Sequence, residues 1–489
     1  MGVAKIRRNI CPDSSVFQKT QAGERPEAKK SIRKRYLTMN SVIILLIVSV
    51  SMWGVQRLHI PAESILTNDA PMVLGFLILA AFFGGKLTSR LNLPRITGYI
   101  LVGLVCGPWI LKFVTQPHLE KLTLIDELAL ALIAFTAGAE LNLSHLKKQI
   151  RSISLIILMQ AIITFSLVSI AIYFSRPLIA VLADQPIKVV WGFCCIIAVI
   201  CIAKSPAETI AVIVETRAKG KMTDTVLGIT VVKDVIVIIL FTIALSTIKS
   251  MINPGETLSF SSLTHLSIEI ISSIIAGLGF GGLIILYFKY VRQEALIFIL
   301  GFVFFITEIS HQLHLEFLLT CITTGFVVQT FSKYGHDFLE TVEKGSLPVY
   351  LVFFSIAGAT LNLPVLYDLW HIAVIIVATR ILSVYLGTYS GARLAGDDHN
   401  IRHFAWAGFI GQAGVSLGFA IIIQDQLPGI GETIKNIVIA TIVLNLMLGP
   451  ALFKWALQKS GEAAPNPSVI NHRRDSRAPS TDSQPHNSE

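Results

Sequence analysis

The chain has 489 residues, of which 53% are hydrophobic and only 15% are charged, and its formal net charge is +9. Because a soluble domain carries about 25% charged residues, this composition excludes an ordinary soluble globular protein and predicts an all-α polytopic membrane protein. An enzyme is not expected, because no nucleophile–base set, phosphate loop or metal-ligand cluster stands out, and no cofactor is expected.

The N-terminal residues 1–40 are strongly basic and contain ten Lys and Arg side chains. Beside a membrane domain, such a segment indicates a cytoplasmic tail that contacts anionic lipid rather than nucleic acid. Residues 41–56 are apolar and are predicted to form an additional leading transmembrane helix. A signal peptide is the alternative reading of this stretch, although a basic leader of this length is long for one.

Thirteen further apolar stretches come close to the ~20 residues that cross a bilayer. They lie at 72–89, 95–113, 123–141, 152–175, 190–214, 225–247, 268–291, 294–310, 315–331, 347–362, 369–393, 402–424 and 435–455. With the leading helix they predict about fourteen transmembrane helices. Lys and Arg concentrate in the short loops on the side of the N-terminus, so both termini are predicted to be cytoplasmic. Residues 456–489 are polar and rich in Pro, Ser and Asn, which predicts a disordered cytoplasmic tail.

Six of these spans lie within 72–247 and six within 294–455, and one linking span, 268–291, inverts the second set relative to the first. In each set the fifth span is interrupted by helix-disfavouring residues, KSPAE (204–208) and GQAGVSLG (411–418). Matched interruptions in inverted repeats indicate the central binding site of a transporter. The alternative is that Gly and Pro are routine packing devices of membrane helices.

Ionisable side chains inside these spans are costly to bury, so they face a cavity or a partner. Asp234 lies about nine residues into its span, which corresponds to a depth of ~14 Å. Arg380 comes at a comparable depth, and Lys204 and Glu208 flank the interruption at Pro206. These ionisable groups converge on one level of the membrane and predict a functional site.

Asp234 is the candidate carrier of a monovalent cation and a proton. A carboxylate that is hydrated first from one side and then from the other can hold either occupant, and this competition with alternating access produces exchange. Carbonyls freed by the interruptions and the hydroxyls of Ser205 and Ser416 are candidate oxygen ligands. Pro206 and Gln412 are expected to stabilise the interruptions. The alternative is that Asp234 only neutralises a neighbouring lysine.

The basic residues allow further interpretations. Arg380 is expected to tether a carboxylate and the carbonyls of the interrupted helices. Lys233 points about 100° away from Asp234 around the helix, so the two cannot form an ideal same-face pair. Its candidate partners are Glu208 and Glu140, or its amine is uncharged.

The balance of charges keeps two other functions open. Three basic side chains, Lys204, Lys233 and Arg380, face two acids, Asp234 and Glu208, which could favour an anion transporter or channel. A chain that has lost transport and acts as a sensor is a third hypothesis, because Lys233 stands directly beside the candidate carrier acid.

Seven motifs occur in a fixed order along the chain. They are LPRITGYILVGLVCGP (93–108), LALALIAFTAGAELNL (128–143), KSPAE (204–208), VVKD (231–234), PVYLVFFSIAGATLNL (348–363), ATRILSVYLGTYSGARLAG (378–396) and GQAGVSLGFA (411–420). Over about 72–455 the chain resembles the monovalent cation:proton antiporter superfamily, in particular the bacterial sodium/proton and potassium/proton exchangers of its second family. The resemblance implies a thirteen-helix core with two crossing discontinuous helices, a dimerisation domain, a homodimer in the bacterial inner membrane and a role in pH homeostasis.

The resemblance also implies roles for single residues. Asp234 matches the essential ion-binding aspartate, and Arg380 matches the basic residue that stabilises the crossing. Ser205 and Pro206 match the unwound stretch of the first crossing helix. Lys233 departs from the pattern, because this position holds a second Asp in electrogenic exchangers and Asn in electroneutral ones. With one acid at this pair of positions, electroneutral exchange is expected.

A second departure from the family pattern is Lys204, at a position where small or hydroxyl residues are common.

Overall fold

A computed structural model describes residues 45–47, 49–53, 70–141, 143–183, 185–252, 260–291, 293–427 and 429–464. These residues belong to two units, Met1–His59 and Ile60–Glu489. In the first unit the described residues are helical. The remainder of the predicted leading helix 41–56 and the basic segment 1–40 lie outside the described residues.

The described part of the second unit contains sixteen α-helices and no strand. The first eight are α1 (Ala70–Arg90), α2 (Arg95–Cys106), α3 (Gln116–Lys121), α4 (Thr123–Glu140), α5 (Leu143–Phe174), α6 (Ile187–Ile202), α7 (Pro206–Thr216) and α8 (Lys221–Ile252). The other eight are α9 (Phe260–Tyr290), α10 (Ala295–Gln312), α11 (Phe317–Phe331), α12 (Gly335–Ala359), α13 (Leu363–Ala395), α14 (His399–Phe404), α15 (Gly414–Gln426) and α16 (Gly431–Ser460). Helices suit such an apolar chain because they pair their backbone polar groups internally.

Within the described residues, eight helical segments are long and apolar enough to cross a membrane, when α6 and α7 are taken as one segment. They are α1, α5, α6–α7, α8, α9, α10, α13 and α16. Shorter apolar stretches lie in α2, α11, α12 and α15. The all-helical membrane class is therefore found as predicted, while the number of about fourteen spans and the repeat arrangement stay predictions.

Several helices begin earlier than the spans drawn from the sequence, and the largest such difference is in α12. α12 begins at Gly335, well before the predicted span 347–362, and continues through Pro348 in its interior. The helical residues before Pro348 include Asp337, Glu340, Glu343 and Lys344, and the apolar stretch of α12 begins at Pro348. Hydropathy therefore located the apolar half of this helix and not its start.

Another difference is at the C-terminal end, where the predicted tail 456–489 begins. α16 continues through Ser460, and the carboxylate of Glu462 accepts hydrogen bonds from Met222 N (2.8 Å) and Thr223 N (2.7 Å). These amides belong to the first turn of α8, where backbone N–H groups have no partner inside the helix. The described start of the tail is thus tied to α8, and residues 465–489 lie outside the described residues.

α13, which carries Arg380, packs closely against α5. A Cβ atom on Gly387 would lie 2.6 Å from the Cα of Gln160, and one on Gly391 would lie 2.5 Å from the Cα of Ile156. Only glycine permits so close an approach of two backbones. α13 also packs on α16, α6 packs on α5 and α8, and α15 packs on α16. These helices enclose the two interruptions.

Candidate functional site

The first interruption separates α6 from α7. α6 ends at Ile202 and α7 begins at Pro206, whose missing N–H is tolerated in the first helical turn. Ser205 is the N-cap of α7, and its Oγ accepts a hydrogen bond from Glu208 N at 3.4 Å. The sequence KSPAE therefore ends one helix and starts the next.

The second interruption follows a 3₁₀ helix, Ala405–Phe409, that continues α14. Residues 410–413 are not helical, and α15 begins at Gly414. The interruption is shorter than the predicted 411–418, because a glycine weakens a helix by only ~1 kcal/mol and packing on α16 offsets this. Ser205 N donates to Gly411 O at 2.9 Å, so the two interruptions lie side by side.

Arg380 on α13 is fully buried and joins the two interruptions. Its Nε donates to Cys201 O (2.8 Å) and its Nη2 to Ala203 O (2.9 Å), at the end of α6. Its Nη1 donates to Ile410 O (2.6 Å) and its Nη2 also to Phe409 O (3.0 Å), at the end of the 3₁₀ helix. Terminal carbonyls lack partners in their own helix, and a cation is favourable at a helix C-terminus.

We expected a carboxylate to bind Arg380. In the described part of the chain, no carboxylate forms an ion pair with it. Glu208 interacts with the guanidinium electrostatically, yet all the hydrogen bonds of Arg380 go to backbone carbonyls. The planar guanidinium has donors in a fixed fork, which suits carbonyls on two chain segments. Arg380 therefore holds the interruptions together through backbone contacts alone.

Gln412 forms a second bridge between the interruptions. Its Nε2 donates to Ile200 O and to Ser416 Oγ, both at 2.9 Å, and its Oε1 accepts from Asn445 Nδ2 at 2.9 Å. The three polar side chains in this network are at most 1% exposed. Gln412 thus links α6, the second interruption, α15 and α16.

Glu208 occupies a narrow space in the first turn of α7. A Cβ atom on Gly411 would lie 1.9 Å from its Oε2, and one on Gly449 would lie 2.1 Å from its Oε1. The residue is 3% exposed, and its Oε2 has no hydrogen-bond partner among the described residues. A side chain at position 411 would displace the carboxylate, one at position 449 would also meet the backbone of Gly411 at 2.8 Å, and the carboxylate keeps an unused acceptor.

Lys204 is 1% exposed, and its ammonium lies among oxygen atoms. Its Nζ donates to Thr209 Oγ1 (2.6 Å) and Thr230 Oγ1 (2.5 Å), and it lies 3.5 Å from Gly408 O. These atoms belong to α7, α8 and the 3₁₀ helix before the second interruption. We call these three oxygens the oxygen cage.

Lys233 pairs with neither Glu208 nor Glu140, the acids proposed from the sequence. Its Nζ donates to Gln160 Oε1 at 2.7 Å, and Gln160 Nε2 donates to Thr388 Oγ1 at 2.7 Å. The close approach of α5 and α13 places the amide of Gln160 opposite α8. Neither proposed acid lies within hydrogen-bonding distance of Lys233 Nζ. Lys233 is therefore held by a neutral acceptor.

The ring of Phe409 lies near both buried lysines. Lys204 Nζ is 5.7 Å and Lys233 Nζ is 5.6 Å from its centroid. Cation–π attraction at this distance helps to hold an ammonium where no carboxylate pairs with it.

Asp234 lies on α8, one helical turn after Thr230, and is partly exposed. Its Oδ1 is buried and has no hydrogen-bond partner among the described residues. Its strongest electrostatic partner is Lys204, followed by Glu316 and Lys233. Asp234 therefore lies one helical turn from Thr230, a member of the oxygen cage, and one of its own oxygens stays unused.

The predicted site residues are not all brought into one cluster. Those at the two interruptions are Lys204, Ser205, Pro206, Glu208, Arg380, Gln412 and Ser416. Asp234 forms no hydrogen bond with any of them in the described chain and interacts electrostatically with Lys204. Ser205 caps α7 and Ser416 accepts from Gln412, and no hydrogen bond joins either serine to Asp234 in the described chain.

Five residues of the site were not identified from the sequence: Gln160, Thr209, Thr230, Phe409 and Asn445. Gln160 and Asn445 could have been found, because an amide inside an apolar span is as informative as a charge. The threonines carry no such signal, since threonine commonly bonds to a carbonyl of its own helix.

The model of the family described as "Sodium/hydrogen exchanger, transmembrane" matches residues 77–459, which is most of the chain. The chain belongs to this family. The resemblance to the cation:proton antiporters is thereby confirmed, and the family consists of membrane transporters rather than enzymes.

Two curated relatives extend the similarity to whole proteins. The Na⁺/H⁺-K⁺ antiporter GerN of Bacillus cereus is 24% identical over 414 residues, which cover 80% of this chain and 97% of the relative. A Na⁺/H⁺ antiporter of Enterococcus hirae is 22% identical over 392 residues, which cover 79% of this chain and 98% of the relative.

A similar fold occurs in a solved structure, that of the sodium proton antiporter MjNhaP1 from Methanocaldococcus jannaschii. The TM-score is 0.60 at 17% sequence identity, with 80% of this chain and 96% of that chain covered. At this identity the likeness concerns the fold alone.

Proposed function

We propose that the chain is a secondary active transporter that exchanges a monovalent cation, Na⁺ or K⁺, for protons by alternating access. The observation that carries the proposal is the carboxylate of Asp234, which lies on an apolar helix beside two interruptions and keeps a buried oxygen without a partner. The curated relatives, whose descriptions include Na⁺/H⁺ and K⁺ exchange, support the same substrates.

The hydrogen bonds at the site favour a cation over an anion. Arg380, Lys204 and Lys233 are all hydrogen-bonded to neutral oxygen atoms. Asp234 and Glu208 each retain an oxygen without a partner. Unused acceptors beside already-bonded donors suit a cation or a proton, which would supply the missing partner.

In the proposed mechanism Asp234 holds either the cation or a proton, and Ser205 and Ser416 supply further oxygens near the interruptions. Arg380, Gln412 and Pro206 stabilise the interrupted helices. The remaining site residues predicted from the sequence modulate the charge of the site, namely Lys204, Lys233 and Glu208. Substrate access from alternate sides then converts competition for one carboxylate into exchange.

We propose the family's architecture for the arrangement of the chain. Repeat one is 72–247, the linking helix is 268–291 and repeat two is 294–455, with the two interrupted helices crossing. The protein is proposed to form homodimers in the bacterial inner membrane, with both termini cytoplasmic and a role in pH homeostasis. Crosslinking of single-cysteine variants in native membranes would test the dimer.

A cation panel in proteoliposomes tests the exchange. Purified full-length protein is reconstituted with an internal pH dye, a pH gradient is imposed, and Na⁺, K⁺, Li⁺ or Rb⁺ is added. We expect Na⁺ or K⁺ to dissipate the gradient and choline to leave it unchanged. Dissipation that follows the anion, when chloride is replaced by gluconate at constant Na⁺, would instead indicate an anion transporter.

Electroneutral exchange is a separate prediction. Lys233 stands beside Asp234 and pairs with a neutral amide, so one carboxylate trades one positive charge for another. We expect the exchange rate to be independent of an imposed membrane potential. A transport current from purified proteoliposomes on a solid-supported membrane would contradict this stoichiometry.

A further inference from the structure

The oxygen cage around Lys204 has the properties of a cation site. Its members Thr209 and Thr230 are 4% and 0% exposed. Thr209 Oγ1 donates its proton to Gly408 O (2.9 Å), and Thr230 Oγ1 donates to Val226 O (2.6 Å). Because a hydroxyl has one proton and two lone pairs, both threonines direct only lone pairs at the centre of the cage. The cage therefore accepts a positive charge and offers no donor to an anion.

The cage also lies next to the proposed carrier. Lys204 is the strongest electrostatic partner of Asp234, and Thr230 precedes Asp234 by one turn of α8. The charged groups that act on Lys204 are Asp234, Glu208 and Arg380, and Lys233 adds a further positive charge. Both acids, Asp234 and Glu208, thus attract a cation at the position of the Lys204 ammonium.

We propose that the oxygen cage completes the cation site beside Asp234 and that the Lys204 ammonium is a tethered occupant which the transported cation must displace. The inference rests on the proposed cation exchange. An ammonium and a dehydrated alkali cation need the same thing, namely one positive charge surrounded by oxygen atoms, so both cannot occupy these oxygens together. Lys204 consequently sets how tightly the external cation binds.

The matched variants are Lys204→Ala and Lys233→Ala. Both remove a buried lysine that acts electrostatically on Asp234, but only the first empties the oxygen cage. We expect Lys204→Ala to lower the apparent dissociation constant for Na⁺ or K⁺ by ~10-fold or more, and Lys233→Ala to lower it clearly less. Binding is measured by calorimetric titration of the purified full-length chain in detergent.

The second readout is competition by n-propylammonium, which replaces the atoms that Lys204→Ala removes. We expect it to compete with Na⁺ or K⁺ in Lys204→Ala only, and n-propanol to have no effect. Equal gains in cation affinity for the two lysine variants, or the same propylammonium competition in the native chain, would overturn the proposal.

Two isosteric variants keep the test decisive if Lys204→Ala does not fold. Thr230→Val removes one oxygen of the cage from the native chain and should weaken cation binding, whereas Thr441→Val, a buried threonine on α16, should not. Unchanged binding in Thr230→Val would refute the cage. Exchange in proteoliposomes is scored separately, so a chain that gains binding without exchanging ions would refute the proposed function and leave the cage standing.

Discussion

Asp234→Asn is expected to abolish cation-dependent proton exchange while leaving the fold intact. Asparagine keeps the shape of the side chain but holds neither a proton nor a net charge at this position. A unit charge at ~4 Å contributes ~4 kcal/mol at an effective dielectric constant of 20, which corresponds to about three orders of magnitude in a binding constant. The fold should survive because no ion pair or hydrogen bond of the described chain depends on Asp234 Oδ1. The measurement is proton flux in proteoliposomes after Na⁺ or K⁺ addition.

Glu316→Gln is the matched control for this substitution. Glu316 also acts electrostatically on Asp234, but its side chain caps α11 by accepting a hydrogen bond from Leu319 N. Glutamine can still accept that hydrogen bond, so exchange should persist in this variant. Exchange by Asp234→Asn at the native rate would remove Asp234 as the carrier, whatever the control does.

The predictable parts of the site are those where the sequence places residues that a lipid environment disfavours. Asp234 and Arg380 are charges inside apolar spans, and KSPAE places a proline inside another. Lipid makes each of these costly, so their presence alone indicates a site. The membrane class and the family could be read from the same features together with the ordered motifs.

The pairing of the site residues was not predictable, because the partners come from helices distant in the sequence. Gln160 reaches Lys233 only because Gly387 and Gly391 let α13 approach α5 closely. Thr230 receives the ammonium of Lys204 although its hydroxyl is also bonded within α8. Composition and periodicity predict neither pairing, since each pairing depends on how the helices pack rather than on the residues that each helix contains.

The hydrogen bonds also change how the charges of the site should be counted. The sequence set three basic groups against two acids, which allowed an anion as substrate. In the folded chain the basic groups are solvated by carbonyl, hydroxyl and amide oxygens, and not by the acids. The acids are therefore left with acceptor capacity for a cation or a proton, and residue counts alone do not reveal this.

Arg380→Met is expected to prevent accumulation of the folded protein or to lower its melting temperature severely. The substitution removes four hydrogen bonds and leaves carbonyls at the ends of α6 and the 3₁₀ helix without partners. An unsatisfied buried polar group costs ~1–3 kcal/mol, so the sum is comparable with a total stability of ~5–15 kcal/mol. Arg393→Met, an exposed arginine on the same helix, is the control. The measurement is the thermal unfolding midpoint of the purified protein in detergent.

Arg380→Lys separates the charge of Arg380 from the shape of its head group. A lysine keeps the positive charge near the two helix C-termini, but its donors radiate from one nitrogen atom and cannot reproduce the fork that reaches both interruptions. If the geometry of the head group dominates, Arg380→Lys should unfold at a temperature well below that of the native chain and close to that of Arg380→Met. A melting temperature equal to that of the native chain would show that charge alone holds the interruptions together. In that case the four carbonyl contacts would not explain why a fully buried arginine is tolerated without a carboxylate.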